Sequence, residues 1–134
     1  MKLMFLLKRK PGTTFEQFRD YYEKRHAPLA VRLLPYFESY ERNYILHDQE
    51  YGPSGIGAKV GFDVVTCIRF KTRTDYERML QALSDSTVLE QIVQDEERFM
   101  DRSPEGRLMF VVDEVLTPAE ELQAFAAPHS SSAP

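Results

Sequence analysis

The segments near the two ends of this chain are strand-like and apolar on both faces, and this narrows the possible folds more than any other feature. Leu3, Phe5 and Leu7 alternate with Met4 and Leu6, and Leu108, Phe110 and Val112 alternate with Met109 and Val111. A strand with apolar residues at every position must be covered on both sides. Lys2 to Lys8 reads as the first strand, closed by the Pro11-Gly12 turn. Thr13 and Thr14 each stand three residues ahead of Glu16 and Gln17, the pattern of a helix N-terminal capping box. Tyr36 to Leu46 alternates as a second strand, and Phe62 to Phe70 as a third. Between them His47 to Gly61 holds four of the six glycines and Pro53, which predicts a long, mobile loop of the kind that often covers a site. A second helical region opens at Thr74 with Glu77 three residues on, pauses near Ser84 to Ser86 and resumes from Val88 to Met100. After the Pro104-Glu105-Gly106 turn, Leu108 to Leu116 is the last strand of the core.

The order strand, helix, strand, strand, helix, strand predicts a ferredoxin-like βαββαβ domain of the α+β class. Its two helical regions pack on one face of a four-stranded antiparallel sheet. Helices on one face leave the other apolar face of the first and last strands bare. A second copy covers it by two-fold symmetry, so the expectation is a homodimer with the sheets face to face, a dimeric α+β barrel. Residues 1–118 make this domain. Residues 119–134 add a short helix, capped at Thr117 to Glu120, and a small, Pro-containing tail that reads as disordered.

Composition removes several classes of function. The 134 residues, 43% hydrophobic and 28% charged, suit one soluble globular domain. A net charge of −4, with no basic patch interleaved with aromatics, argues against nucleic acid as a partner. The apolar run Leu3 to Leu7 is too short for a signal peptide or a membrane span, so the expected location is the cytoplasm, with no membrane partner. The single cysteine, Cys67, can form no internal disulfide and reads as buried filler. His26, His47 and His129 are too dispersed for a metal-site signal. No phosphate loop, dinucleotide fingerprint or nucleophile elbow occurs, so any chemistry is expected to be cofactor-free.

One of those histidines lies where the packing pattern calls for a hydrophobe. Phe15, Phe18, Tyr22, His26, Leu29 and Leu33 follow one another at helical spacing on one face of the first helix. An imidazole aimed at an apolar interior is suited to proton transfer, because its unperturbed pKa lies close to neutrality. A satisfied packing residue is the plainer reading. Pro28, two residues on, is expected to kink or break the helix and to free backbone groups beside His26. Tyr22 could hold an oxygen or simply pack, with Phe18 as apolar wall. Tyr40, Arg42 and Tyr44 share a strand face, as pocket lining for a planar anion or as a solvated or dimer-facing patch. Asp63 and Arg69 point the same way on the third strand. Asp63 is the first candidate carboxylate for His26, with a surface ion pair as the alternative, and Asp95, between Ile92 and Phe99, is the second. Glu96, Glu97 and Asp101 read as a solvated face.

Five groups of residues carry a family resemblance. Leu7-Lys8-Arg9-Lys10-Pro11-Gly12, Phe15-Glu16-Gln17-Phe18-Arg19-Asp20-Tyr21-Tyr22 and His26-Ala27-Pro28-Leu29 resemble the first half of EthD-domain proteins. Asp95-Glu96-Glu97-Arg98-Phe99-Met100-Asp101 and Val112-Asp113-Glu114 are similar to that family's second helix end and last strand, so the match runs in order from about residue 4 to 116. The chain departs from the pattern in loop 47–61 and in Cys67-Ile68-Arg69-Phe70, where many relatives carry an aromatic before the final Phe. The resemblance implies a dimeric α+β barrel like those of muconolactone-type isomerases and small aromatic polyketide cyclases. It also implies company that ranges from decarboxylases and dehydratases to accessory proteins of degradation pathways. The expected function is a cofactor-free lyase or isomerase acting on a small aromatic, polyketide or lactone substrate. His26, Tyr22 and Asp63 would be the catalytic group, with Tyr40, Tyr44, Arg69, Asp95 and Phe18 binding substrate. The alternative is a non-catalytic protein that binds a hydrophobic metabolite or supports a partner enzyme. A haem- or oxygen-dependent barrel is a third reading, for which a histidine at a helix break is poor evidence.

Overall fold

The computed structural model describes residues 1–128; the expected disordered tail and His129 lie outside them, apart from the tail's first residues, Ala126 to Pro128. The elements are β1 (Lys2–Leu7), α1 (Phe15–Tyr21), a π-helical turn (Tyr22–His26), α2 (Ala27–Leu33), β2 (Ser39–Tyr44), β3 (Tyr51–Gly52), β4 (Gly55–Ile56), β5 (Val64–Arg69), α3 (Arg73–Leu83), α4 (Ser86–Glu97), β6 (Arg107–Val112) and α5 (Ala119–Ala126). The main sheet is antiparallel with order β2-β5-β1-β6, the ferredoxin-like topology expected.

Register decides which side chains meet the helices. Leu7 pairs with Val64 and Arg107, Phe5 with Thr66 and Met109, and Leu3 with Ile68 and Val111, while Tyr40 stands opposite Ile68 and Tyr44 opposite Val64. Directly opposed residues share a face, so this set makes the helix side. Met4, Leu6, Val65, Cys67, Leu108 and Phe110 make the other. Leu3, Leu7, Val64 and Ile68 are buried under the helices. On the outer side Cys67 is buried, whereas Leu108 and Phe110 stay 39% and 40% exposed.

The first helical region is capped as the sequence predicts. Thr14 accepts from the Gln17 amide and the Gln17 side chain accepts from the Thr14 amide, a reciprocal box. The expected break at Pro28 does not occur. Pro28 sits in the first turn of α2, where a helix has no need of its missing amide proton. The irregularity falls earlier, as one π turn in which the Ala27 amide reaches back to the Tyr22 carbonyl. This extra residue re-aims the helix. Phe18, Tyr22, His26, Ala30 and Leu34 are all buried, at strict spacings of four that would drift off one face of a regular α-helix. Leu29 and Leu33, expected inside, are half-buried.

The second helical region is two helices, capped by Thr72 and Asp85, with the pause at Ser84 and Asp85. Beyond α4 the chain docks on the continuation of β1: the Lys10 amide donates to the Phe99 carbonyl and the Asp101 amide to the Lys8 carbonyl. The expected strands 36–46 and 62–70 shorten to Ser39–Tyr44 and Val64–Arg69, and the last strand ends at Val112. Loop 47–61 contains a small hairpin, β3 with β4. It is pinned at its base by His47, whose Nε2 is 2.9 Å from Asp63 and whose Nδ1 is 3.2 Å from Glu50.

Burial opposes charge on His47, but its bonds to Asp63 and Glu50 outweigh it and raise the pKa above the ordinary 6.5. The imidazolium therefore holds the loop fully below pH 6.5 and releases it as pH rises through the folded-state value. An NMR titration of His47 is expected to show a midpoint above 6.5, and Asp63→Asn to lower it. Amide exchange in residues 47–61 should rise through that midpoint by more than its intrinsic pH dependence.

Candidate active site

Between the helix side of the sheet and helices α2, α3 and α4 lies a cavity of about 280 Å³. Its walls are mostly apolar, including Leu3, Phe5, Ile68, Met79 and Ile92, and its polar lining comprises Tyr22, His26, Tyr40, Thr66, Glu96, Arg102 and Arg107. Exposed Leu80, Leu89 and Met109 also line it and mark its mouth beside the edge strand β6. The volume and the few convergent polar groups fit a small, largely apolar ligand.

His26 is 4% exposed and is held from one side. Its Nδ1 lies 2.8 Å from Asp95 Oδ2, and the phenol of Tyr21 donates to Asp95 Oδ1 at 2.6 Å. A carboxylate opposite Nδ1 keeps the proton on that nitrogen and turns Nε2 toward the cavity. Nε2 in turn lies 4.0 Å from Glu96 Oε2. Phe99 packs on the imidazole with ring centres 4.9 Å apart. Burial, aided by the bond to Asp95, raises the Tyr21 pKa.

The second polar group is a chain of hydroxyls. Tyr40 donates to the Tyr22 oxygen at 3.0 Å, and Tyr22 and Thr66 share a bond of 2.8 Å. Burial pushes the Tyr22 phenol up to about 12 and that of Tyr40 well above its ordinary value, so both stay protonated donors.

Several expected site residues are elsewhere. Asp63 does not reach His26: its carboxylate accepts from the Arg9 amide at 2.7 Å and faces His47, and Asp95 occupies the place assigned to it. Arg69 points to the outer side of the sheet, where Glu114 binds both it and Lys2. Those two cations hold the Glu114 carboxyl down at about 2. Tyr44 and Arg42 turn to Glu23, which the Arg42 guanidinium holds below the usual carboxylate range, and Arg42 also lies over the Tyr40 ring. Phe18 packs behind Tyr22 against Phe99 and does not line the cavity. Tyr22, His26 and Tyr40 do line it, and Asp95 stands directly behind the histidine. Glu96, read as solvated, is 4% exposed. Its signal was its position four residues after Ile92, on the same face of α4. Arg102 and Arg107 carried no such signal, because they enter through a turn and an edge strand.

A ferredoxin-like α+β domain with a buried histidine, backed by an aspartate, facing a mostly apolar cavity is the class that this architecture defines. The family model of the EthD domain matches residues 10–103, and the chain belongs to the EthD-domain family. Solved structures share the fold. An EthD-like protein from Ralstonia eutropha JMP134 is 18% identical, with a TM-score of 0.61 over 89% of this chain and 95% of its own. An ethyl tert-butyl ether D (EthD) family protein from Bacillus halodurans C-125 is 18% identical, with a TM-score of 0.55 over 85% and 97%. HapK from Hahella chejuensis is 11% identical, with a TM-score of 0.52 over 89% and 99%. Among curated proteins, none matches the sequence. No helix among the described residues is long and apolar enough to cross a membrane.

Removing the Tyr22 hydroxyl strands the Thr66 hydroxyl, itself only 1% exposed, without its partner. Tyr22→Phe is therefore expected to cost about 1–3 kcal/mol in denaturant unfolding while leaving the fold intact.

Proposed function

We propose that this chain is a cofactor-free general acid/base enzyme, a lyase or isomerase acting on a small aromatic or conjugated substrate held in the cavity. The observation that carries the reading is the two-sided placement of His26: Nδ1 on Asp95 at 2.8 Å, and Nε2 on the cavity side. In this reading Nε2 takes a proton from a carbon or hydroxyl acidified by conjugation and returns it at another position of the same molecule. Asp95 holds the ring and balances the charge that it gains. Tyr22 would donate toward an oxygen on which negative charge develops, supported by the bond it accepts from Tyr40, and the apolar walls would exclude water. Decarboxylation, dehydration, ring closure and double-bond migration all need only these parts. The Glu96 carboxylate, 4.0 Å from Nε2, favours a second reading, in which His26 is a structural link between two acids and the cavity belongs to a non-catalytic binding protein.

The working unit in this proposal is a homodimer. Leu108 and Phe110 on the outer side of β6 leave an apolar strip beside Met4 and Leu6 that a second sheet would cover. The wild type is expected to run at twice the chain mass in light scattering, and Phe110→Asp, a charge at the centre of that strip, at the mass of one chain.

Proton transfer can be read without knowing the product. Incubation in D₂O with a panel of conjugated aromatic acids, β-keto acids and unsaturated lactones should label or convert at least one of them. His26→Gln should slow that reaction by a factor of about 10²–10⁴ with ligand affinity retained. Equal rates in wild type and variant would remove His26 from the mechanism, and binding without reaction across the panel would favour the binding protein.

A further inference from the structure

Two arginines at the cavity mouth share one carboxylate. Arg102 Nε lies 2.9 Å from Glu96 Oε1 and Arg107 Nε 3.2 Å from the same oxygen, so each guanidinium is anchored by its Nε edge. Their four terminal nitrogens make no hydrogen bond to an acceptor among the described residues. The charges do not balance either. Two guanidiniums face a single Glu96, while Asp95 is engaged by His26, Tyr21 and Arg98. The surplus positive charge is sheltered, since the side chains of Arg102 and Arg107 are 32% and 23% exposed, and screening by water is weaker there than on an open surface.

Both arginines are fixed in place. The Arg107 guanidinium lies 5.4 Å from the centre of the Phe5 ring. The turn between them is tight at Gly106, where a Cβ would come within 2.4 Å of the Asp101 carbonyl oxygen, so only glycine lets the chain pass there. Planar, pre-oriented donor forks with their outer edges free match a carboxylate in two-point geometry.

We propose that Arg102 and Arg107 form the anion-recognition end of the cavity, and that its ligands are flat, mainly apolar carboxylic acids rather than neutral lactones. The inference rests on the reading of the cavity as the ligand site, and it narrows the substrate class. Glu96 spans the distance between the two ends: Oε1 accepts from Arg102, Arg107 Nε straddles both oxygens at 3.2 and 3.3 Å, and Oε2 also lies 4.0 Å from His26 Nε2. A carboxylate seated on the guanidiniums therefore places the adjoining conjugated carbons beside the imidazole. The anion-binding role expected of Arg42 passes to this pair, since Arg42 is committed to Glu23 at 2.7 Å.

The test compares 2-naphthoate with its neutral isostere 2-naphthamide by calorimetric or NMR titration of the full chain, in wild type, Arg102→Gln, Arg107→Gln and Arg107→Lys. Wild type should bind the acid at least tenfold more tightly than the amide. Either glutamine variant should bring that ratio toward one with amide affinity unchanged, Arg107→Lys should fall between, and added salt should weaken only the acid. Amide spectra report whether each variant is folded. Equal binding of acid and amide to the wild type, or a ratio that survives in both glutamine variants, overturns the anion end but leaves the cavity reading standing. Failure of both compounds to bind, with cavity resonances unmoved, overturns both.

Discussion

A buried imidazole bonded to a buried carboxylate is the constraint around which the helical layer is arranged. Burying either group alone, without a partner, costs several kcal/mol, so α4 and the π turn after α1 must bring His26 and Asp95 together when the helical layer packs. The apolar stripes of both helices are interrupted at the same level. His26 follows Phe18 and Tyr22 on one, and Asp95 and Glu96 lie between Ile92 and Phe99 on the other. Polar groups that satisfy one another inside a hydrophobic layer fix a single helix-to-helix alignment, since any slip leaves a charge or a donor unpaired.

The π turn follows from that requirement. Five inward residues spaced by four need a wider turn than 3.6 residues allows, and the turn between Tyr22 and His26 supplies it where the histidine is delivered. Pro28 then restarts a regular helix. Farther along, the docking of Phe99–Asp101 on Lys8–Lys10 carries the chain round Gly106 and brings Arg102 and Arg107 to Glu96. The cavity thus has a hydroxyl end at Tyr40, an imidazole wall and a cationic mouth.

The sheet, the capping box at Thr14, the pause before α4 and the inward aim of His26 and Tyr22 were legible in the sequence, because each depends on residues a few positions apart. The π turn was hidden because Leu29 and Leu33 offer larger hydrophobes at ordinary helical spacing than Ala30 and Leu34 do at the spacing used. The choice between Asp63 and Asp95 as partner of His26 could not be made locally. Both alternate into plausible positions, and only the packing of α4 on the first helix shows which one arrives. Glu96 was hidden inside a run of charges in which its next neighbours, Glu97 and Arg98, are exposed. Arg102 and Arg107 meet Glu96 only through a turn whose path depends on one glycine, and nothing in their own surroundings in the sequence announces it.

The central claim is that Asp95 holds the proton on His26 Nδ1 and leaves Nε2 free to face a ligand. Long-range ¹H–¹⁵N NMR of the imidazole tests this most directly, in the free protein and with an aromatic carboxylate added. The account predicts that in the neutral ring Nδ1 carries the proton, with the Nε2 resonance moving on ligand addition and the tautomer preference lost in Asp95→Asn. A protonated Nε2 that ignores the ligand, with Nδ1 unaffected by the substitution, would contradict it.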